Sequence, residues 1–120
     1  MNEWQALDQF WNSFGLQAYD ENTVPDDQSP PYITYEAIVG QLDETLLLTA
    51  SLWYRTTKWT EISEKAIEIK RAIGSGMGVT YDNGRLWVTQ GDQFLQRKPD
   101  EDPQIRRIQL QINAEFQTSE

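Results

Sequence analysis

The chain reads as an α+β protein: a mostly antiparallel sheet of about five strands with two helices packed against it. Three observations predict this. Residues 105–117 alternate, with Ile108, Leu110, Ile112, Ala114 and Phe116 on one side and Gln109, Gln111, Asn113, Glu115 and Gln117 on the other, the period of a half-buried strand. Residues 60–73 repeat apolar side chains at helical spacing through Ile62, Ala66, Ile69 and Ile73. Asp82-Asn83-Gly84 stands between two short β-rich runs, a hairpin signal.

Taken in order, residues 2–14 form an amphipathic helix. Trp4, Leu7, Trp11 and Phe14 fall on one stripe beside Phe10, and Gly15 stops it. Two readings stand: the stripe packs on the core, or Trp4 and Trp11 form a docking face. Residues 20–31 are an acidic, Pro-rich linker, either an ordered loop or a hinge. Residues 32–39 and 45–56 are rich in β formers and pair as an antiparallel hairpin. In the second, Leu46, Leu48, Ala50, Leu52 and Tyr54 share one face, and Leu47, Thr49, Ser51, Trp53 and Arg55 the other. The central helix starts at a Thr57 or Thr60 cap, carries Glu61 and Glu64 at its positive end and Lys70 and Arg71 at its negative end, and closes at Gly74. Residues 77–82 and 85–90 form the second hairpin through a type I′ turn, 91–103 a long loop, and 105–117 the last strand. The order is α-ββ-α-ββ-β in a single domain over 1–120: a helix in 1–15, a linker at 20–31 and a body at 32–118.

A 14.0 kDa chain folds to roughly 6,700 Å² of surface, against about 20,000 Å² unfolded, enough burial for one core. Aromatics make up 12% of the residues and supply large buried areas. With no Cys and no His, disulfides, thiolate chemistry, the commonest metal ligand and the usual nucleophile–His triads are excluded. The expectation is a protein that is not an enzyme, with no catalytic, cofactor or metal residues. No apolar run approaches a membrane span, and the acidic start Met1-Asn2-Glu3-Trp4 is unlike a secretory signal. A net charge of −9 opposes binding to phosphate backbones and anionic membranes.

Candidate sites are few. Asp26-Asp27 and Asp100-Glu101-Asp102 match no calcium-loop spacing and read as solvated loops. Gly74-Ser75-Gly76-Met77-Gly78 follows a helix and precedes a strand, the reverse of a phosphate cradle. Arg97, Lys98, Arg106 and Arg107 are the one basic concentration. They either ion-pair locally with the neighbouring acids or meet a partner or another copy. Phe94 and Leu95 either tuck under their polar loop or stand out as an anchor. The protein-interface candidates are Trp4, Trp11, Trp53, Phe94, Leu95, Arg97, Arg106 and Arg107.

A string of short motifs adds to this. Pro31-Tyr32-Ile33-Thr34-Tyr35 opens a strand, Leu52-Trp53-Tyr54-Arg55 ends one, and Trp59-Thr60-Glu61-Ile62-Ser63 opens a helix. Gly91-Asp92-Gln93-Phe94-Leu95-Gln96-Arg97, an Asp-Pro turn and Ile105-Arg106-Arg107-Ile108 follow. Over residues 30–118 the chain resembles small tail-assembly proteins of long-tailed bacteriophages and prophages, most closely the tail terminators, also described as tail-to-head joining or minor capsid proteins. The resemblance implies an α+β domain that assembles into a ring, a hexamer, on the end of the tail tube. The ring stops tube growth and presents a surface to the head connector and neck proteins. It implies a virion protein made in the bacterial host cytoplasm, with itself and the tube protein as partners, no cofactor and no sequence-specific nucleic-acid binding. An acidic ring would repel the DNA that passes through it. Another neck or head-completion component, or a non-viral binding adaptor, is the alternative.

Overall fold

The computed structural model describes residues 1–118. Its elements are α1 (Glu3–Asn12), β1 (Ala18–Asp20), β2 (Tyr32–Tyr35), β3 (Thr45–Arg55), α2 (Thr60–Ile73), β4 (Met77–Tyr81), β5 (Gly84–Lys98) and β6 (Ile105–Thr118). The strands form one mixed, mostly antiparallel sheet in the order β1-β2-β3-β6-β5-β4, curled as a half-barrel. The exposed surface is 6904 Å², close to the size-scaling value. The last strand lies at the centre of the sheet, paired with β3 on one side and β5 on the other. Its alternation is therefore the pattern of a sheet with one covered face.

Both helices lie on the inner side and share one core with it. Ile62, Ala66, Ile69 and Ile73 of α2 and Ala6, Leu7, Phe10 and Trp11 of α1 are buried with Leu48, Leu52, Leu110, Ile112 and Phe116. α2 packs on β3, β6 and β5, whereas α1 reaches β1 and β4, the two opposite edges of the sheet. The curl of the sheet makes this possible, and α1 closes the open side. Asn2 opens α1 with a capping box: it accepts from the Gln5 N–H, and Gln5 accepts from the Asn2 N–H, both at 2.9 Å.

Several expectations are corrected. β1 is a strand the periodicity did not reveal, because three residues carry too little pattern; it runs parallel to β2. β2 ends at Tyr35 because Glu36 then takes over the ladder with its side chain, accepting the Thr49 N–H at 2.7 Å and its hydroxyl at 2.8 Å. α2 begins after Trp59 with no side-chain cap, so neither Thr57 nor Thr60 performs that role. The 91–103 loop is strand as far as Lys98. Gly91–Phe94 bulge opposite Gln111, and pairing resumes at Leu95↔Leu110. The segment 20–31 is a loop held by hydrogen bonds, from the Thr23 N–H to the Asp20 carbonyl (2.9 Å), from the Gln28 N–H to the Pro25 carbonyl (3.1 Å) and from the Tyr19 hydroxyl to Gln28.

The second hairpin forms, but not through a type I′ turn. Tyr81 pairs with Gly84, which leaves Asp82 and Asn83 as the turn. Neither has positive φ, since Asp43 (61°) is the one non-glycine residue that does among the described residues. Gly84 is required for space instead. A Cβ there would lie 1.9 Å from the Gln117 carbonyl oxygen across the β5–β6 ladder. Gly84→Ala is therefore expected to cost about 1–3 kcal/mol, the range typical of overpacking. A urea titration showing no loss would mean that the strands part there freely.

Tyr35 ties the helix layer to the sheet. Its hydroxyl donates to Asp8 of α1 at 2.8 Å. Burial, then that carboxylate, pushes the phenol well above its ordinary value. The folded chain keeps this proton where the unfolded chain, titrating near 10, loses it. This contribution to stability is thus full below about pH 10 and declines as pH rises beyond it. Burial raises Tyr54 and Tyr81 in the same direction. Tyr35→Phe is expected to flatten the alkaline decline in unfolding free energy. An unchanged alkaline limb would assign the decline to other groups.

Candidate interaction surfaces

Six strands with helices on one side leave the other face of the sheet uncovered. The register sets its composition row by row. Tyr32, Trp53, Arg107 and Lys98 lie side by side at one end, then Thr34, Ser51, Gln109 and Gln96, then Leu47, Asn113 and Thr89. Thr45, Glu115 and Trp87 follow, and Gln117 and Arg85 complete the far end. The strip down β6 is amide-rich because Gln109, Gln111, Asn113 and Gln117 are its outward positions.

A guanidinium–indole pair stands at each end. The Arg107 guanidinium lies 4.9 Å from the Trp53 ring centre, while its Nε donates to the Ser51 hydroxyl at 2.9 Å. The Arg85 guanidinium lies 4.8 Å from the Trp87 ring and donates to Gln117. The Trp53 indole N–H donates to the Thr34 hydroxyl at 2.9 Å. These contacts hold flat, amphipathic side chains in place before any partner arrives, which lowers the ordering cost of a contact. Leu47 is 55% exposed in the middle of the face.

Charge on this face runs against that of the chain. Its strand positions carry Arg55, Arg85, Lys98 and Arg107 against Glu115, with the Glu36 carboxylate held on Thr49 just past the end of β2, although the whole chain carries −9. The acidic excess lies in α1, the 20–31 loop and the turns, while α2 is balanced, with Glu61, Glu64 and Glu68 against Lys65, Lys70 and Arg71.

The eight interface candidates do not converge on one patch. Trp53 and Arg107 meet on the open face. Trp4 is 53% exposed on α1. Trp11 is fully buried, stacked on Tyr35 at 6.4 Å and 17°, so the paired-Trp docking face is not formed. The buried arc of α1 is made of Ala6, Leu7, Phe10 and Trp11, which leaves Trp4 on its flank. Phe94 is likewise buried, carried into the core by the bulge, and Leu95 packs half-buried against it. Neither is a projecting anchor.

Arg97 and Arg106 lie on the helix side, 4.8 and 5.4 Å from the ring of Trp59. Arg106 also donates to the carbonyls of Pro103, Ile105 and Thr57. Its role there is to clasp two loops together. The local ion pairs expected of the basic cluster are absent: among the described residues, only Arg55 meets Asp102, at 3.9 Å with both exposed, a weak contact. Asp100 and Asp102 instead accept the N–H groups of Asp102 and Gln104 and shape the turn. Among the described residues no group of three or more Asp or Glu gathers as a metal site, and no helix is long and apolar enough to cross a membrane.

Sequence reasoning missed Trp59, the Arg85–Trp87 pair and Leu47. The period-2 pattern of β3 did put Leu47 on the same face as Trp53 and apart from Leu46 and Leu48. The Arg107–Trp53 pair left no local signal, since its members come from different strands, whereas Arg85 and Trp87 stand two residues apart on β5 and share a face by strand alternation. Comparison with protein-family models, with curated proteins and with solved structures finds no match.

Proposed function

We propose that this chain is a structural protein of virion assembly that caps a phage tail tube as a ring and joins tail to head. The observation that carries the reading is the uncovered sheet face, pre-ordered by its Arg–Trp pairs and opposite in charge to the rest of the molecule. A ring needs heterologous contacts, in which one patch of each copy meets a different patch of the next. A face with a basic excess on a strongly acidic chain supports such a head-to-tail contact, because it is complementary in charge to the acidic surfaces of the next copy. The motif string over residues 30–118 supplies the tail-terminator assignment itself. The chain acts by contact in this reading and has no catalytic step.

The test is sedimentation velocity from micromolar to hundreds of micromolar, alone and with polymerised tail-tube protein, followed by electron microscopy of the mixture. The reading expects a closed ring, or caps on one end of each tube. A monomer at every concentration that also ignores the tube overturns it and leaves an adaptor for some other protein.

A further inference from the structure

The open face is bordered by opposite charges on its two flanks. At the β1 flank stands the 20–31 loop, which carries Asp20, Glu21, Asp26 and Asp27 and no Lys or Arg. β1 and β2 run parallel, so the loop returns along the edge strand, from Asp20 beside Tyr35 back to Tyr32. It does so on the open-face side. Ala18 is buried in the core, so Tyr19 points the other way. There its hydroxyl donates to Gln28 and its ring meets that of Tyr32 at 6.0 Å. Asp20 accepts the Asn22 N–H at 2.9 Å. Glu21, Asp26 and Asp27 are exposed, and none of them meets a cation among the described residues.

The other flank is β5. β4 pairs with Gly84–Val88 only, so from Thr89 to Lys98 the strand has β6 on one side and no strand on the other. Lys98 lies beside Arg107, and Arg55 is the next outward position of β3 after Trp53. Among the described residues no carboxylate pairs with Lys98 or Arg107, and Arg55 has only its long contact to Asp102. The acids of the β5–β6 turn lie beyond this corner. Asp100 and Asp102 accept N–H groups of the turn, and Glu101 lies between them.

The two flanks stand at the same level along the strands. One row across the sheet runs Tyr32, Trp53, Arg107, Lys98, and the neighbouring row runs Tyr19, Thr34, Ser51, Gln109, Gln96. The acidic loop hangs from Tyr19 and Tyr32, where these rows begin, and the basic corner lies where they end. A sideways step across the strands, such as the step from copy to copy around a ring, carries the loop of one copy onto the corner of the next. The acids at the far end of the strands do not reach it in that step: Glu3 and Asp43 lie near Tyr81, and Asp82 is in the turn before Gly84.

We infer that the 20–31 loop of one copy docks on the corner formed by Arg55, Lys98 and Arg107 of the next, with Glu21, Asp26 and Asp27 meeting its cations. The contact rests on the ring reading and names the two patches that meet in it. It is heterologous, as a ring requires, and complementary in charge. Both patches are ordered beforehand: the loop by its own hydrogen bonds, Arg107 by Trp53 and Ser51. Little ordering is then left for association.

Two full-length variants test it. One carries Glu21→Lys, Asp26→Lys and Asp27→Lys in the loop, the other Arg55→Glu and Lys98→Glu in the corner. These side chains are held at most weakly within the chain, so both melting temperatures should stay in the range of ordinary surface changes. Each variant alone sets like charges against each other and should close rings, or cap polymerised tail tubes, at least about tenfold less readily than the parent. An equimolar mixture should recover assembly, because the basic loop of the first variant then meets the acidic corner of the second, and the native loop of the second meets the native corner of the first. Sedimentation and cap counts in electron micrographs read both. If either set lowers the melting temperature, the same exchange is read with Asp26→Lys against Lys98→Glu. Undiminished assembly of either variant, or a mixture as poor as its components, overturns the inference and leaves the ring reading standing. A parent chain that neither closes rings nor caps tubes overturns both.

Discussion

Trp11→Ala is expected to lower the unfolding free energy by about 3–5 kcal/mol, the usual cost of removing a large buried aromatic. Trp11 is fully buried and packs edge-on against Phe10 at 4.8 Å, besides its stack on Tyr35. Its helix is the element that closes the open side of the curled sheet, reaching strands at both edges. The cavity left by alanine therefore lies where the layers meet, and no single neighbour can collapse into it. A domain of this size is stable by only about 5–15 kcal/mol, so the variant is expected to be partly unfolded at elevated temperature. Urea unfolding followed by circular dichroism gives the number. A loss below about 1 kcal/mol would make α1 a peripheral helix and return Trp11 to the list of contact residues. Trp4→Ala, on the exposed flank of the same helix, is the control and should stay within about 0.5 kcal/mol of the parent.

Leu47→Asp is expected to have the opposite profile, with little change in folding and a large change in assembly. Leu47 is exposed at the centre of the open face, beside Asn113 of β6, and its side chain leaves water only when a partner arrives. An unpaired carboxylate there would be desolvated in any tight contact and would reduce the face's basic excess. Ring formation or tube capping should fall at least about tenfold, with a melting temperature in the range of ordinary surface changes. The end-on cap count per tube in electron micrographs and the sedimentation profile read the effect. Unchanged capping would show that the open face is not the contact surface. Loss of capping together with a large fall in melting temperature would show that the substitution acts through the fold. Lys58→Ala, outside the open face in the β3–α2 turn, should change neither property.

Much of the architecture was legible because it is written in local period. α2 was delimited to the residue, since Ile62, Ala66, Ile69 and Ile73 can share a stripe only on a helix. The last strand and the two faces of β3 were equally plain, because alternate residues of a strand must part to opposite sides. The polar strip Gln109, Gln111, Asn113 was visible as the non-core face, though not as an uncovered one.

Three-dimensional neighbours decided the rest. Trp4 and Trp11 have the same side chain on the same helix, and only the position of the sheet edges beneath α1 distinguishes the exposed one from the buried one. Phe94 read as a residue of a polar loop. The bulge opposite Gln111 extends β5 and carries it into the core, and Gly91 permits the approach: a Cβ there would meet the Gln111 carbonyl oxygen at 2.8 Å. The arginines read as a cluster because they are close in sequence. Successive strand residues point to opposite faces, so Arg106 went to the helix side with Trp59 and Arg107 to the open face with Trp53. Periodicity specifies which side chains share a face, because that follows from backbone geometry within one element. Which faces and edges are then covered depends on pairings made far along the chain, and those pairings gave this molecule an open sheet face and an unpaired half of β5.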